Sequence, residues 1–257
     1  GVPMMPVTVR RVEPALAVQA YAPGQVSDLN PKTDAEIIEW SRKLQRYDAR
    51  QVSRKRARQD VKGELPKALE PGEKDWVQSR MLSLLAGQGG VKTLAMPKAQ
   101  EDPRPFEVVG IPLTPGFHVL EIASQRLGES LLDARHGAGR TMYVRSSALA
   151  TNLAVHFKLG RENSLAWVTT LDKGQVVPGA KVRVSSCRGD ELATAVTDAN
   201  GVARFEAGKI SPEPPACSSN DGEDGEWRNA YFVSARATDA KGVEDLAFTW
   251  SDWQRGI

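Results

Sequence analysis

Cysteine and histidine are scarce in these 257 residues, with two of the first and three of the second, and aromatic side chains make up only 6%. Metal centres built on thiolates or imidazoles need more donors at closer spacing. Cys187 and Cys217 form no CxxC, and His118, His136 and His156 form neither HExxH nor an i, i+4 pair. Phosphate-cradling and nucleophile motifs are missing as well: there is no GxxxxGK[ST], no GxGxxG opening a helix after a strand and no GxSxG. Gly87-Gln88-Gly89-Gly90 is glycine-rich but has no Lys-Ser/Thr after it to hold phosphate and magnesium. No catalytic residue, cofactor site or metal site is therefore expected. Apolar runs such as 148–157 are short and interrupted, far from the roughly 20 residues a bilayer span needs. The chain opens Gly-Val-Pro-Met-Met without a charged and then apolar segment and closes at Gly256-Ile257, as expected of a piece of a longer polypeptide.

What is present is ordinary globular composition, 40% hydrophobic and 26% charged, which argues against disorder, collagen and coiled coil. The length suits two domains. Charge divides unevenly. Residues 1–148 hold 22 Lys/Arg against 17 Asp/Glu, whereas 149–257 hold 12 against 15.

Residues 7–21 alternate loosely and predict one or two strands, ended by Ala22-Pro23-Gly24. Thr33-Asp34-Ala35-Glu36 is a capping box, in which the Thr hydroxyl accepts from the Glu36 amide while the carboxylate reaches back. A helix should start there, with Ile37, Trp40, Leu44 and Tyr47 as its apolar stripe. Beyond Tyr47 the helix is expected to continue as a basic one, because 42–62 carries nine Lys/Arg against Asp48 and Asp60. A second helix is predicted from 73 to 86, with Trp76, Val77, Met81, Leu84 and Leu85 buried and Gly87 just past its end, so that the two make a helical hairpin. From Phe106 a β pattern returns: 106–113, a Thr-Pro-Gly turn, 117–123, a glycine-punctuated loop and 141–146, with one short strand expected at 92–96.

Seven strand-like runs follow, at about 152–159, 164–172, 180–186, 191–196, 202–206, 229–237 and 243–250. Seven short antiparallel strands with frequent turns predict a β-sandwich. Val177-Pro178-Gly179-Ala180 and Thr197-Asp198-Ala199-Asn200-Gly201 are turn sequences, each expected to join neighbouring antiparallel strands. Residues 211–226, with three prolines and an acidic end, predict a long surface loop.

Three features carry competing readings. The basic segment, and in particular Arg50, Arg54, Lys55, Arg56, Arg58 and Lys62, is either a solvated face or a surface for an anionic or protein partner. It has neither exposed aromatics nor a reading module, so no nucleic acid is expected. Cys187 and Cys217 are a candidate disulfide, which would close a 30-residue separation in an oxidising compartment, or two free thiols. Asp221, Glu223, Asp224 and Glu226 are a solvated acidic loop or a hard-cation site without EF-hand spacing.

The run Thr151-Asn152-Leu153-Ala154-Val155-His156-Phe157-Lys158, followed by 164–172 and by Val177-Pro178-Gly179-Ala180-Lys181-Val182, resembles the bacterial α2-macroglobulins. So do Cys187-Arg188-Gly189, the stretch Thr197 to Ala203, and the close from Phe248 to Ile257. Gly110-Ile111-Pro112-Leu113, Pro115-Gly116-Phe117 and Met142-Tyr143-Val144-Arg145 extend the likeness forward, and 25–100 matches by position. The resemblance implies a mainly β chain of two tandem macroglobulin-like, fibronectin-III-like antiparallel sandwiches. These would be 1–147, interrupted by a helical hairpin at about 31–87, and 148–257.

It further implies a periplasmic protease trap, held at the inner membrane as a lipoprotein, in which cleavage of a bait segment triggers capture through a thioester. Expected partners are target proteases, neighbouring macroglobulin-like domains and a peptidoglycan-synthesising penicillin-binding protein. The thioester pattern Cys-x-Glu-Gln has no counterpart here, since Cys187 precedes Arg-Gly-Asp and Cys217 precedes Ser-Ser-Asn. The expectation is a non-enzymatic, monomeric scaffold segment. Its rivals are an envelope interaction or adhesion module that uses the basic helices, and a hydrolase.

Overall fold

The structure is a computed structural model that describes residues 4–7, 24–68, 71–95, 107–132, 140–217, 227–239 and 241–254. Two compact units make up the chain: Gly1–Asn30, Lys43–Leu113 and His118–Ala148 in the first, and Pro31–Arg42, Thr114–Phe117 and Leu149–Ile257 in the second.

Elements of the front part are β1 (Met4–Val7), β2 (Gly24–Leu29), α1 (Asp34–Asp48), β3 (Gln51–Ser53), α2 (Arg54–Asp60), β4 (Trp76–Gln78), β5 (Lys92–Ala95), β6 (Glu107–Gly110), β7 (Gly116–Ser124), α3 (Gln125–Leu131) and β8 (Met142–Ala150). In the first unit a four-stranded sheet runs β5-β2-β7-β8, and β1-β6 and β3-β4 form separate two-stranded ribbons. Val26, Ile111, Leu120 and Ile122 form one buried cluster, joined by Leu113 and Ala148. Leu127, Leu132 and Met142 form another, with Met81 against it.

The capping box forms as its chemistry dictates: Glu36 N–H donates to Thr33 Oγ1 at 3.2 Å, and the Lys32 and Thr33 amides donate to Glu36 Oε2 at 2.9 Å. The helical hairpin does not form. α1 stops at Asp48, β3 intervenes, and Ser53 caps a separate α2 by accepting from Arg56 N–H at 3.1 Å. Residues 73–86 contain no α-helix. They hold a 3₁₀ turn at Pro71–Lys74, the strand β4 and a second 3₁₀ turn at Ser79–Met81. The reason lies in the period at its start, where Trp76 is 50% exposed and Val77 only 5%. That alternation suits a ribbon paired with β3, which also satisfies the backbone groups a helix would have bonded internally.

α3 falls where a loop is expected, capped by Ser124, whose hydroxyl accepts from Leu127 N–H. Its Gly128 is there for space: a Cβ would overlap the carbonyl oxygen of Arg140. The predicted strand at 92–96 is β5, while most of 7–21 lies outside the described residues.

The second unit contains all seven expected strands: β9 (Leu153–Lys158), β10 (Ser164–Thr170), β11 (Lys181–Ser185), β12 (Glu191–Val196), β13 (Val202–Phe205), β14 (Phe232–Thr238) and β15 (Glu244–Trp250). They form two antiparallel sheets, β13-β10-β9 and β12-β11-β14-β15. Between them lies a core of Leu153, Val155, Phe157, Val168, Val182, Val184, Phe205, Tyr231 and Val233 with their small neighbours. This is the seven-stranded antiparallel sandwich expected, divided three and four between its sheets, in a chain that is mainly β.

The two turns have a different task from the one predicted. Each carries the chain from one sheet to the other, β10 to β11 and β12 to β13, and not between strands paired in one sheet. Gly179 and Gly201 sit at φ +76° and +73°, and a Cβ on Gly201 would also crowd the Val168 carbonyl. Backbone conformation and close approach both require glycine at 201.

Candidate functional site

Of the six basic residues proposed as a partner surface, four are exposed (Arg50, Lys55, Arg58 and Lys62), Arg56 is half-buried and Arg54 is 9% exposed. α2 explains the split. Arg54 and Ala57 are the buried residues of the helix and Val61 just past it is buried too, while Lys55 and Arg58 on the helix and Lys62 beyond its end face solvent. Arg56 is engaged locally, donating to Gln59 at 3.0 Å and lying 4.0 Å from Asp60, whose carboxylate also holds Arg46 at 2.8 Å. The basic run therefore resolves into two exposed cations on one short helix, Lys55 and Arg58, with Lys62 just past its end, Arg50 ahead of β3, and internal pairs.

Cys187 and Cys217 are joined by a disulfide, with Cα atoms 6.1 Å apart and both residues buried. It fastens 211–217 to the end of β11, and other bonds reinforce it. Trp227 Nε1–H donates to the Cys187 carbonyl at 3.1 Å, Cys217 N–H to Asn229 Oδ1 at 2.9 Å, and the Tyr231 hydroxyl to the Ser211 carbonyl at 3.0 Å. Burial pushes the Tyr231 hydroxyl above the usual phenol range, and its bond to Ser211 opposes that shift. On the same unit, Phe117, Phe232, Phe248, Trp250 and Trp227 form a chain of ring contacts with centroids 4.9 to 5.8 Å apart. Arg42 covers Trp227 at 5.5 Å, and Gly189 at φ +93° leaves no room for a Cβ beside Ala35. The N-terminal half of α1 thus packs onto the Cys187–Gly189 turn, a placement that spacing alone does not reveal.

Two polar clusters of the first unit were invisible to motif reading. Glu121, 2% exposed, accepts from the Leu84 amide at 2.8 Å, from the Ser83 hydroxyl and from Arg145 Nε at 3.2 Å. Arg145 in turn donates to the carbonyls of Tyr47, Ser79 and Leu82 and lies over the Tyr47 ring at 5.6 Å. Burial lowers the Arg145 guanidinium from its ordinary value and Glu121 opposes that; burial also raises Tyr47, with Asp60 adding to it. The cluster fastens 79–84 and the end of α1 at Tyr47 to the sheet. A lone Glu inside the apolar run 117–123 is the signal that could have disclosed it.

His118 is the second. It is 1% exposed, with Nδ1 2.7 Å from Asp28 Oδ1 and Nε2 3.1 Å from Asn30 Nδ2. His156 is on the surface beside Trp167, and His136 and the acidic residues 221–226 lie outside the described residues. Among the described residues no group of three His, Cys, Asp or Glu is placed to hold a metal ion, and no helix is long and apolar enough to cross a membrane.

Residues 150–257 match the family model described as the bacterial alpha-2-macroglobulin MG3 domain. That match covers the sandwich whose sequence carries the resemblance. No curated protein matches the chain. Among solved structures the chain is similar to native alpha-2-macroglobulin from Escherichia coli spanning domains NIE-MG1, at 13% identity and a TM-score of 0.41, over 87% of this chain and 82% of that one. It is also similar to the same Escherichia coli protein spanning MG0-NIE-MG1, at 12% identity and a TM-score of 0.37, over 87% of this chain and 54% of that one. A tetra-tandem repeat from the extending region of a large adhesion protein is similar at 14% identity and a TM-score of 0.22, over 90% of this chain and 42% of that one.

Proposed function

We propose that the chain is a scaffold segment of a bacterial α2-macroglobulin-like protease trap: it carries no chemistry of its own and holds neighbouring macroglobulin-like domains of one longer polypeptide. The observation that carries this reading is the match of the seven-stranded sandwich, 150–257, to the MG3 domain. Three features are consistent with it. The buried Glu121 and Arg145 are taken up by each other and by neighbouring protein groups, the disulfide ties a loop to its own sandwich, and no thioester sequence is present. A disulfide suits an oxidising compartment, and we place the whole protein in the periplasm, anchored at the inner membrane as a lipoprotein. Proteases are its targets through the whole protein, and a peptidoglycan-synthesising penicillin-binding protein is a further partner on the same reading.

The test uses an antibody to this chain in fractionated cells that produce it, with and without added protease and methylamine. The expected species is far heavier than 28.0 kDa, lies in the envelope fraction and forms protease adducts that methylamine suppresses. The isolated chain should leave protease activity unchanged. A native species near the mass of the chain, a cytosolic one, or adducts indifferent to methylamine would each overturn the reading.

A further inference from the structure

We infer that a cleft on the first unit binds an anionic sugar, a sugar ring carrying a phosphate or carboxylate. The cleft is built on the β3-β4 ribbon. Trp76 and Gln78 are two residues apart and so share one face of β4, while Gln51 stands opposite Gln78 in the register. Val77, between them, is buried on the other side. Arg54, Pro66, Lys67, Met81 and Arg140 complete the lining around an open volume of about 290 Å3, mouth included.

Three properties of the lining select the ligand. Its charged side chains, Arg54, Lys67 and Arg140, are all cations, and no carboxylate is among its described residues. Lys67 and Arg140 make no ion pair with any described residue, so a bound anion would meet charge not already neutralised. Trp76, half exposed at the rim, offers a broad apolar face, which a bare inorganic anion would leave unused and the C–H face of a sugar ring would cover. Gln51 and Gln78 each supply a donor and an acceptor, the pairing that ring hydroxyls require.

Arg140 is held in place from behind. Gly128 of α3 lets the Arg140 carbonyl approach more closely than a Cβ would allow. The inference stands apart from the scaffold reading, since it concerns a cleft of the first unit and the family match covers only 150–257.

The test is a two-dimensional NMR titration of the whole chain, following the indole N–H of Trp76, which is assigned by its loss in Trp76→Phe. The probes are glucose 6-phosphate, glucuronate, glucose and inorganic phosphate. The expected result is a saturable shift with at least one anionic sugar and at least tenfold weaker binding of both glucose and phosphate. The tighter of the two anionic sugars identifies the anionic group. Lys67→Ala and Arg140→Ala should each weaken that binding at least fivefold, and Lys158→Ala, on the second unit, should leave it unchanged. Lys67 is exposed, so its variant keeps the test valid if Arg140→Ala disturbs the fold. Equal binding of phosphate and glucose 6-phosphate, equal binding of glucose, insensitivity to both charge removals, or no shift up to about 20 mM would each overturn the inference.

Discussion

Arg236 of β14 donates to Asp34 Oδ1 at 2.6 Å across 202 residues of sequence, and Ser234, two residues earlier on the same strand, donates to Asp34 Oδ2 at 2.7 Å. Asp34 is 1% exposed and sits in the first turn of α1, where a negative charge also favours the helix N-terminus. Arg236 also donates to Ser234 Oγ at 3.0 Å and to the Lys32 carbonyl at 3.1 Å. The start of α1 is thereby locked to the four-stranded sheet of the second unit. Removing either group takes the charged partner from the other, which costs about 3 kcal/mol. Asp34→Ala and Arg236→Ala should each lower the denaturant midpoint of the second unit by that order. The double variant should lose clearly less than the sum, and additive losses would show that the two groups are not coupled.

The same helix start makes an acid-side prediction. Glu36 is held below its ordinary value of 4.5, first by its hydrogen bond from the Thr33 amide and then by that from Lys32. A carboxylate whose folded pKa lies below its unfolded one contributes stability above the unfolded value, and that contribution is lost as pH falls through the folded value. Wild type should therefore lose more stability than Glu36→Gln as the pH is lowered from neutral to below 4.5, and above that range the two curves should run parallel. Thr33→Ala, which removes the other half of the box, should cost about 1 kcal/mol at neutral pH. Urea melts at a series of pH values distinguish these outcomes, and identical acid limbs for wild type and Glu36→Gln would refute the linkage.

Legibility followed the strength of local signals. All seven strands of the second unit were readable because alternation, turn residues and length agreed, and the capping box was readable because one side-chain pair specifies it. Residues 73–86 misled because Trp76, Val77, Met81, Leu84 and Leu85 satisfy a helical spacing when every apolar residue is counted as buried. Trp76 is in fact half exposed at a cleft, and removing it from the pattern leaves the period-two start that β4 uses. The run 164–171 shows a related limit. Its bulkier residues Leu165, Trp167 and Leu171 are not the core set, since the sandwich interior takes Ala166 and Val168. The partners of Asp34, Glu121 and His118 stand 202, 24 and 90 residues away in the chain, beyond the reach of any window.

The disulfide offers a third measurement. Closing a 30-residue separation stabilises by about 3.5 kcal/mol through loop entropy, and both sulfurs are buried. The Cys187→Ala/Cys217→Ala double variant should lower the unfolding free energy by that order, and reductant should shift the wild-type midpoint but not that of the variant. Because Tyr231 still bonds the Ser211 carbonyl at 3.0 Å, the near end of 211–217 should stay in place. The gain in amide exchange on loss of the bridge should therefore be largest around Cys217.

Arg145 supports the last prediction, which concerns the first unit alone. Its guanidinium satisfies three carbonyls, of Tyr47, Ser79 and Leu82, and pairs with Glu121, whose other acceptor sites hold the Leu84 amide and the Ser83 hydroxyl. Arg145→Met keeps the length of the stem but strands a buried carboxylate and leaves the carbonyls without their donor, so a loss of about 3 to 5 kcal/mol is expected. Arg145→Lys keeps the charge yet cannot reproduce the planar fork that reaches carboxylate and carbonyls together, and should recover only part of that loss. Arg145→Met/Glu121→Gln removes the stranded charge and should therefore be more stable than Arg145→Met alone. Hydrogen exchange at the Leu84 amide reports the cluster directly: it should accelerate in both Arg145 variants, and unchanged protection there would mean that Glu121 orders this segment without Arg145.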